Sequence, residues 1–291
     1  MSALPLPAVR VAALARNTFT DLVRQKVFFF LLIFALVVIG NSSLLAKFSF
    51  QEEFQMLKDV ALGAMSVFLS LLAVLATANL IPKDLEDRTI FTILSKPVPR
   101  HEYLLGKLLG VVALLLLSTL VMGALFLAVL LLREQSVLAE TRNSFSGSPA
   151  DLATALGEVR RAAFGWDLLP AMGVLLAKGI LLASLTLLVS TFATSGIFTI
   201  LVAVSAYFIG HLQSTAREFW MSGIAIRWWT RIFAALVALL FPDLQAFNLT
   251  DDIVAGTPLP QGLFLQTLAL GGVYTAVYFA VACLLFQERE L

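Results

Sequence analysis

The sequence predicts an all-α fold: a polytopic helical membrane protein with six transmembrane helices, an N-terminal amphipathic helix and a re-entrant or interfacial helix before the last span. Three observations carry this expectation. Hydrophobic residues make up 59% of the chain and charged residues only 13%, against ~45–50% and ~25% in ordinary soluble domains. A mean hydropathy of +0.92 leaves too little polar material to cover a soluble surface. Several uninterrupted Leu/Val/Phe/Ala runs reach the ~20 residues that cross a ~30 Å hydrocarbon core as helix. These runs do not alternate, which excludes the short strands of a membrane β-barrel.

Taken in order, residues 9–26 read as the amphipathic helix. Val11, Leu14, Ala15, Thr18, Phe19 and Leu22 recur at helical spacing, while Arg10, Asn17, Asp21 and Arg24 take the other side. A basic amphipathic helix just ahead of a span lies in the membrane interface, either as a plain anchor or as a surface that also meets a cytoplasmic partner. The first span covers residues 27–46, and a polar connector with Lys47, Glu52, Glu53, Lys58 and Asp59 leads to the second, 60–82. Residues 83–103 form a charged connector to the third span, 104–132, where Lys107 can snorkel.

An external segment, 133–167, carries the turn cluster RNSFSGSP and a further helical piece, with Trp166 at the interface. Spans 168–191 and 196–213 follow, joined by the tight turn STFATSG. The second external segment, 214–262, holds an apolar run of only about ten residues ended by Pro242, too short to span. Trp220, Trp228 and Trp229 place it at the interface, re-entrant or lying flat. The last span is 263–286, so that the whole chain is one transmembrane domain. Six crossings put both termini on one side. Lys/Arg residues are densest beside the spans in the N-terminal segment and the 83–103 connector, which assigns that side to the cytoplasm. The start of the chain is basic and broken by polar residues, unlike a cleavable signal peptide.

The connector is the most informative stretch. IPKDLEDRTIFTILSKPVPRHEYLLGK, residues 81–107, gathers four acids and five Lys/Arg between apolar runs. Pro82 is positioned to stop the second span, Asp84 to cap a short helix and Asp87 to occupy its first turn. Leu85, Ile90, Ile93 and Leu94 would give that helix an apolar face, and KPVPR would end it. A solvated loop is the bland reading. A simple turn would suffice for that, whereas a rigid helix laid across the ends of two spans suits docking to another protein.

These residues carry a resemblance. DLEDRTIFTILSKPVPRHEYLLGKLLG resembles the loop between spans two and three of bacterial ABC-transporter permeases of the type-2 exporter family, through Asp84, Glu86, Arg88, Thr89, Leu94, Pro97, Arg100, Gly106 and Lys107. ARNTFTDLVRQKVFFFLLIFALVVIG and KDVALGAMSVFLSLLA are similar to the copper-enzyme-maturation branch of these permeases, and Arg88, where many relatives have glycine, favours that branch. The resemblance implies the permease subunit of an exporter in a bacterial cytoplasmic (inner) membrane, driven by a separate nucleotide-binding ATPase that holds the ATP and Mg²⁺. It implies a coupling helix in the connector that sits in a groove of that ATPase, an amphipathic helix that touches it too, and re-entrant helices closing the outer side. A second permease chain, a copy or a homologue, completes the pathway. Asp84, Glu86, Arg88 and Thr89 are the expected ATPase contacts or braces of the coupling helix, with Ile93, Leu94 and Arg100 in the same site. Pro97 and Pro99 would set the exit angle.

Other function classes find less support. No GxxxxGK[ST] occurs: ahead of Gly106-Lys107, His101 stands at the first-glycine position, and Leu108 replaces the hydroxyl residue. The chain therefore holds no nucleotide cofactor of its own. An ion-coupled carrier or channel is the rival reading, and such proteins bury acids or His as relays. No Asp or Glu falls within the six runs, and Lys178, halfway into the fourth, is the strong intramembrane charge. Lys178 is a candidate for the translocation path, with snorkelling or a shifted span boundary as the alternatives. His211 reads as a polar interface residue. Two His, six Met and the single Cys283 are scattered, so neither a catalytic nor a metal site is expected. A net charge of +1 without a basic tract predicts no nucleic-acid partner.

Overall fold

The computed structural model describes residues 7–46, 53–87, 98–144, 148–165, 168–221, 240–248 and 261–288, with single positions at 229, 232 and 237. Its helices are α1 (Pro7–Val23), α2 (Lys26–Ala46), α3 (Glu53–Ala78), α4 (Leu80–Glu86), α5 (Arg100–Ser144), α6 (Pro149–Ala163), α7 (Leu168–Phe192), α8 (Gly196–Met221) and α9 (Gln261–Glu288), and a single 3₁₀ turn covers Gln245–Phe247. There is no strand among the described residues. Five helical segments are long and apolar enough to cross a bilayer, and the pair α1–α2, bent by 67°, makes a sixth. The all-α polytopic fold expected from composition is the fold observed.

Helix α7 lies at the centre, packed against α3, α5, α8 and α9. It is apolar all round, as a helix surrounded by other helices must be. Its buried hydroxyls find acceptors on the helix itself. Ser184, Thr186, Ser190 and Thr191 each donate to a carbonyl three or four residues back, at 2.6–2.8 Å. Such back-bonding satisfies a hydroxyl where no water is at hand. Helix α3 presents Leu57, Ala61, Leu62, Met65 and Leu69 inward, all at most 1% exposed, and turns Val67 and Leu71 outward. That is the stripe a helix needs when one face meets the bundle and the other meets lipid.

Two helix boundaries differ from expectation, each for a physical reason. The second span was expected to stop at Pro82, with Asp84 capping the next helix. Instead the break falls at Asn79, and α4 runs straight through Pro82. Proline is harmless at the third position of a helix, where its missing N–H would have had no partner. Asp84 consequently lies inside α4, not at its cap. The third span was expected to end at residue 132, but α5 continues to Ser144 for 45 residues. Hydropathy marks where a helix leaves the membrane, not where it ends. The continuation is held by Arg133, which reaches Glu53 of α3 at 2.6 Å and Glu140 at 3.5 Å. It is paired with α6, whose start is capped by Ser148 and followed by Pro149, a favoured first helical residue. Lys58 of α3 donates to the Ala162 carbonyl at 2.7 Å, placing a cation at the C-terminus of α6 where the helix dipole favours it.

Within the segment expected to be re-entrant or interfacial, residues 240–248 are described, while Trp220 and Trp228 lie where side chains are outside the description. The described part sits between helices at bundle depth. The Leu244 N–H donates to the carbonyl of Gly210, just past the middle of α8, at 3.0 Å, and the Tyr278 hydroxyl of α9 donates to the Leu240 carbonyl at 2.8 Å. Phe247 is fully buried against Gly271, where a Cβ would come within 3.1 Å of its ring. Non-helical backbone is tolerated at such depth only when it is enclosed by protein.

Helix α1 lies along the start of α5. A Cβ on Gly106 would fall 2.5 Å from the Leu14 Cβ, and one on Gly110 would fall 2.6 Å from the Thr18 Cβ and 2.9 Å from the Ala15 carbonyl. Only glycine permits this approach. Gly110→Ala is expected to lift α1 from α5 and to lower stability by about 1–3 kcal/mol. A thermal melt in detergent, with trypsin cleavage at Arg16 and Arg24 as the local readout, checks this.

Candidate functional site

The connector meets the rest of the protein at one end of the bundle, through charges that point inward. Asp84 of α4 forms an ion pair with Lys107 of α5 at 2.6 Å, the two side chains being 17% and 9% exposed. The Tyr103 hydroxyl donates to the same carboxylate oxygen, and the Lys107 ammonium lies 5.5 Å from the Tyr103 ring centroid. On its far side Tyr103 stacks on Phe286 of α9, with centroids 5.8 Å apart and planes 15° from parallel. Arg100, the first residue of α5, donates to the carbonyls of Phe286 and Gln287, each at 2.8 Å. These carbonyls lie in the last described turn of α9, where the helix dipole favours a cation. Arg10 of α1 pairs with Glu102 of α5 at 2.9 Å. Helix α1, the connector and the C-terminal end of α9 are thereby fastened together at the same end of the molecule.

This arrangement divides the expected site residues. Asp84 and Arg100 are engaged internally, whereas Glu86 is exposed, as are Lys83 and Asp87 beside it. Arg88, Thr89, Ile93, Leu94 and Pro97 lie outside the described residues. Between α1 and α4 a polar cleft of about 260 Å³ is lined by Asn17, Asp21, Gln25, Asn79, Lys83 and Asp87, with the Asp84–Lys107 pair also on its wall. The α7–α8 turn abuts the same region, for a Cβ on Gly196 would fall 1.6 Å from the Asn79 Oδ1. The helix break at Asn79 is thus in direct contact with the hairpin of two spans.

A second constellation lies inside the bundle. Lys178, in the middle of α7, is 2% exposed. It does not snorkel. Its ammonium donates to Ser66 Oγ of α3 at 3.1 Å and approaches His211 Nε2 of α8 at 3.2 Å. His211 Nδ1 lies 3.1 Å from the Tyr207 carbonyl. An imidazole that donates from Nδ1 to a carbonyl has Nε2 free to accept, so the two contacts assign one neutral tautomer. The Tyr207 ring packs on His211 at 4.3 Å between centroids and stands 5.6 Å from the ammonium. Asp243, in the segment between α8 and α9, accepts from the Gln245 N–H at 3.0 Å. The sequence marked Lys178 as the intramembrane charge. It placed His211 at an interface and gave no sign of Ser66 or Tyr207, because their convergence depends on how three helices pack. Among the described residues no three His, Cys, Asp or Glu side chains gather where a metal ion could be held.

Comparison with known proteins bears on both constellations. The family model described as ABC-2 family transporter protein matches residues 12–291. The chain belongs to the ABC-2 transporter family. No curated protein matches it. The match runs from α1 through α9, so both the fastened end and the Lys178 cluster lie within the ABC-2 membrane domain. The protein is a multi-pass permease of an ABC transporter, a membrane subunit of the kind that works with an ATP-binding subunit.

The Asp84–Lys107 pair yields a direct test. Removing one member of a largely buried pair strands the other charge. Lys107→Met alone is expected to destabilise this ABC-2 permease by about 3 kcal/mol. Combining it with Asp84→Asn should cost less than the sum of the two single changes, as read from a double-mutant cycle of detergent melts.

Proposed function

We propose that this chain is the permease subunit of an ATP-driven exporter in a bacterial inner membrane, and that the fastened end is where a separate ATPase drives it. The observation that carries the reading is the clamp itself: Asp84–Lys107–Tyr103, Tyr103 on Phe286, and Arg100 on the end of α9. Ordinary loops between spans are not tied to the far terminus of the chain. A connector built to receive force has to be, because force applied to an untethered loop would be dissipated in its own rearrangement.

In this reading the exposed Glu86 meets the ATPase, together with Arg88, Thr89, Ile93 and Leu94. Pro97 sets the exit angle of the connector. Asp84 and Arg100 do not touch the partner. They brace the helix that does, Asp84 against α5 and Arg100 against α9. Helix α1 lies beside the connector and supplies the other wall of the cleft, so a partner seated on that end meets both. ATP and Mg²⁺ reside on the partner. A second permease chain completes the pathway, the fastened end faces the cytoplasm, and both termini lie on that side. Closure of the ATPase dimer around ATP would move α4 and the start of α5 as one body. Through the Asn79–Gly196 contact the same movement reaches the α7–α8 hairpin.

The Lys178–His211 cluster favours one rival, an ion-coupled carrier that needs no ATPase. Purification in mild detergent separates the two readings. Co-elution with a nucleotide-binding subunit supports the exporter, and solute transport by the chain alone in liposomes supports the carrier. For the exporter, exchanging charges by Glu86→Lys with Arg88→Glu should reduce transport by about tenfold or more, as reversal of interface charges does. Membrane insertion and the melt of the permease should be unchanged. Wild-type transport in the double variant would remove the connector from the coupling path.

A further inference from the structure

The polar cleft at the fastened end holds charges that the permease itself leaves unanswered. Asn17, Asp21 and Gln25 line it on the α1 side, and Asn79, Lys83 and Asp87 on the α4 side. Asp84, also on its wall, is engaged by Lys107 and Tyr103. Asp21 accepts from Asn17 at 3.1 Å. Among the described residues, neither Asp21 nor Asp87 has a cation within ion-pair distance.

Both acids also sit where the backbone disfavours them. Asp21 occupies the last turn of α1, which carries no basic residue; Arg24, just beyond it, does not line the cleft. Asp87 is the C-cap of α4. The C-terminal end of a helix carries partial negative charge, so it repels a carboxylate and favours a cation. Elsewhere in the protein cations are found at such places, Arg100 against the last described turn of α9 and Lys58 against the end of α6. At the cleft two helix ends and two carboxylates come together, and Lys83 in the last turn of α4 offsets only part of their charge.

The cleft cannot relieve this by closing on itself. Helix α1 is held to α5 at backbone contact through Gly106 and Gly110, and α4 is held to α5 by Asp84. Both walls are therefore fixed to one helix, and about 260 Å³ stays open between them. A preformed cleft with surplus negative charge attracts a cation. It is not built for a metal ion, because no three His, Cys, Asp or Glu side chains gather at one point among the described residues. The amides of Asn17, Gln25 and Asn79 instead add acceptors for a group with several N–H donors, such as an ammonium or a guanidinium.

We propose that the cleft receives a lysine or arginine side chain of the partner ATPase, whose charge Asp21 and Asp87 answer. This rests on the coupling reading and names the chemistry by which the partner is held there. One inserted side chain bridges α1 and α4, so a pull on it reaches both helices at once. Through Asn79 it also reaches the α7–α8 hairpin. Asp21 and Asp87 then destabilise the free permease slightly and are satisfied only in the complex.

Two measurements on the full chain test this. In the permease alone, Asp21→Asn and Asp87→Asn remove charges that oppose the helix ends. Each should leave the melt in detergent unchanged or raise it by about 1–3 °C. In the complex purified in mild detergent, the double variant should retain about tenfold less ATPase than the wild type at equal salt. Lys83→Gln removes the competing cation and should retain as much ATPase or more. A lowered melt of the free chain would assign the two acids a structural role and overturn the proposal. Loss of the ATPase on Lys83→Gln would mark an anion as the occupant and overturn it as well. Equal retention by the wild type and the double variant removes this inference and leaves the coupling reading standing. No ATPase on the wild type removes both.

Discussion

A polar group held at bilayer depth has water on neither side, and this constraint organises most of what the structure contains. The hydroxyls of α7 fold back onto their own helix, which gives its buried serines and threonines an acceptor without water. The chain between α8 and α9 enters the bundle because its backbone has partners waiting, the Gly210 carbonyl for Leu244 and the Tyr278 hydroxyl for Leu240. Even the other buried cations follow the rule, Lys107 and Arg133 meeting a carboxylate and Lys58 the end of a helix. Lys178 obeys it only in part, through neutral acceptors, which sets it apart from the other buried cations.

At the fastened end the same constraint produces a division of labour within seven residues. Helix α4 points Asp84 into the protein, where Lys107 and Tyr103 hold it, and leaves Lys83, Glu86 and Asp87 to the outside. One helix is thereby both an anchor and a face. The glycines of α5 extend this economy: by admitting α1 to backbone contact, Gly106 and Gly110 let an amphipathic helix brace the start of a span without large side chains between them.

Much of this was legible in the sequence. Fold class followed from hydropathy, since a run of twenty apolar residues has few alternatives. The hairpin between α7 and α8 was readable from its Ser, Thr and Gly, and the connector from its charge. What stayed hidden depends on distance along the chain. Arg100 meets the end of α9 across 186 residues, Lys178 meets Ser66 across 112 and His211 across 33; no local pattern encodes such meetings. Helix ends beyond the membrane were misjudged because hydropathy reports the lipid boundary, so α5 was cut at residue 132. The break at Asn79 was hidden by Pro82, whose reputation as a helix breaker does not apply in a first turn. Asp84 looked like a cap because its type fits one; only the fold shows that its carboxylate is claimed by a lysine on another helix.

The length of α5 has a mechanical meaning. At 45 residues it is a rod of about 68 Å, more than twice the thickness of the hydrocarbon core it crosses. One end is gripped by α1, α4 and α9, and the other stands clear of the bilayer, stiffened by α6. Such a rod is a lever arm that pivots at its gripped end. A tilt of only about 5° about the gripped end sweeps the far tip through roughly 6 Å, given the rise per residue of an α-helix. An event too small to open anything where it begins is thus magnified, by leverage alone, into a displacement the size of a side chain on the opposite face of the membrane.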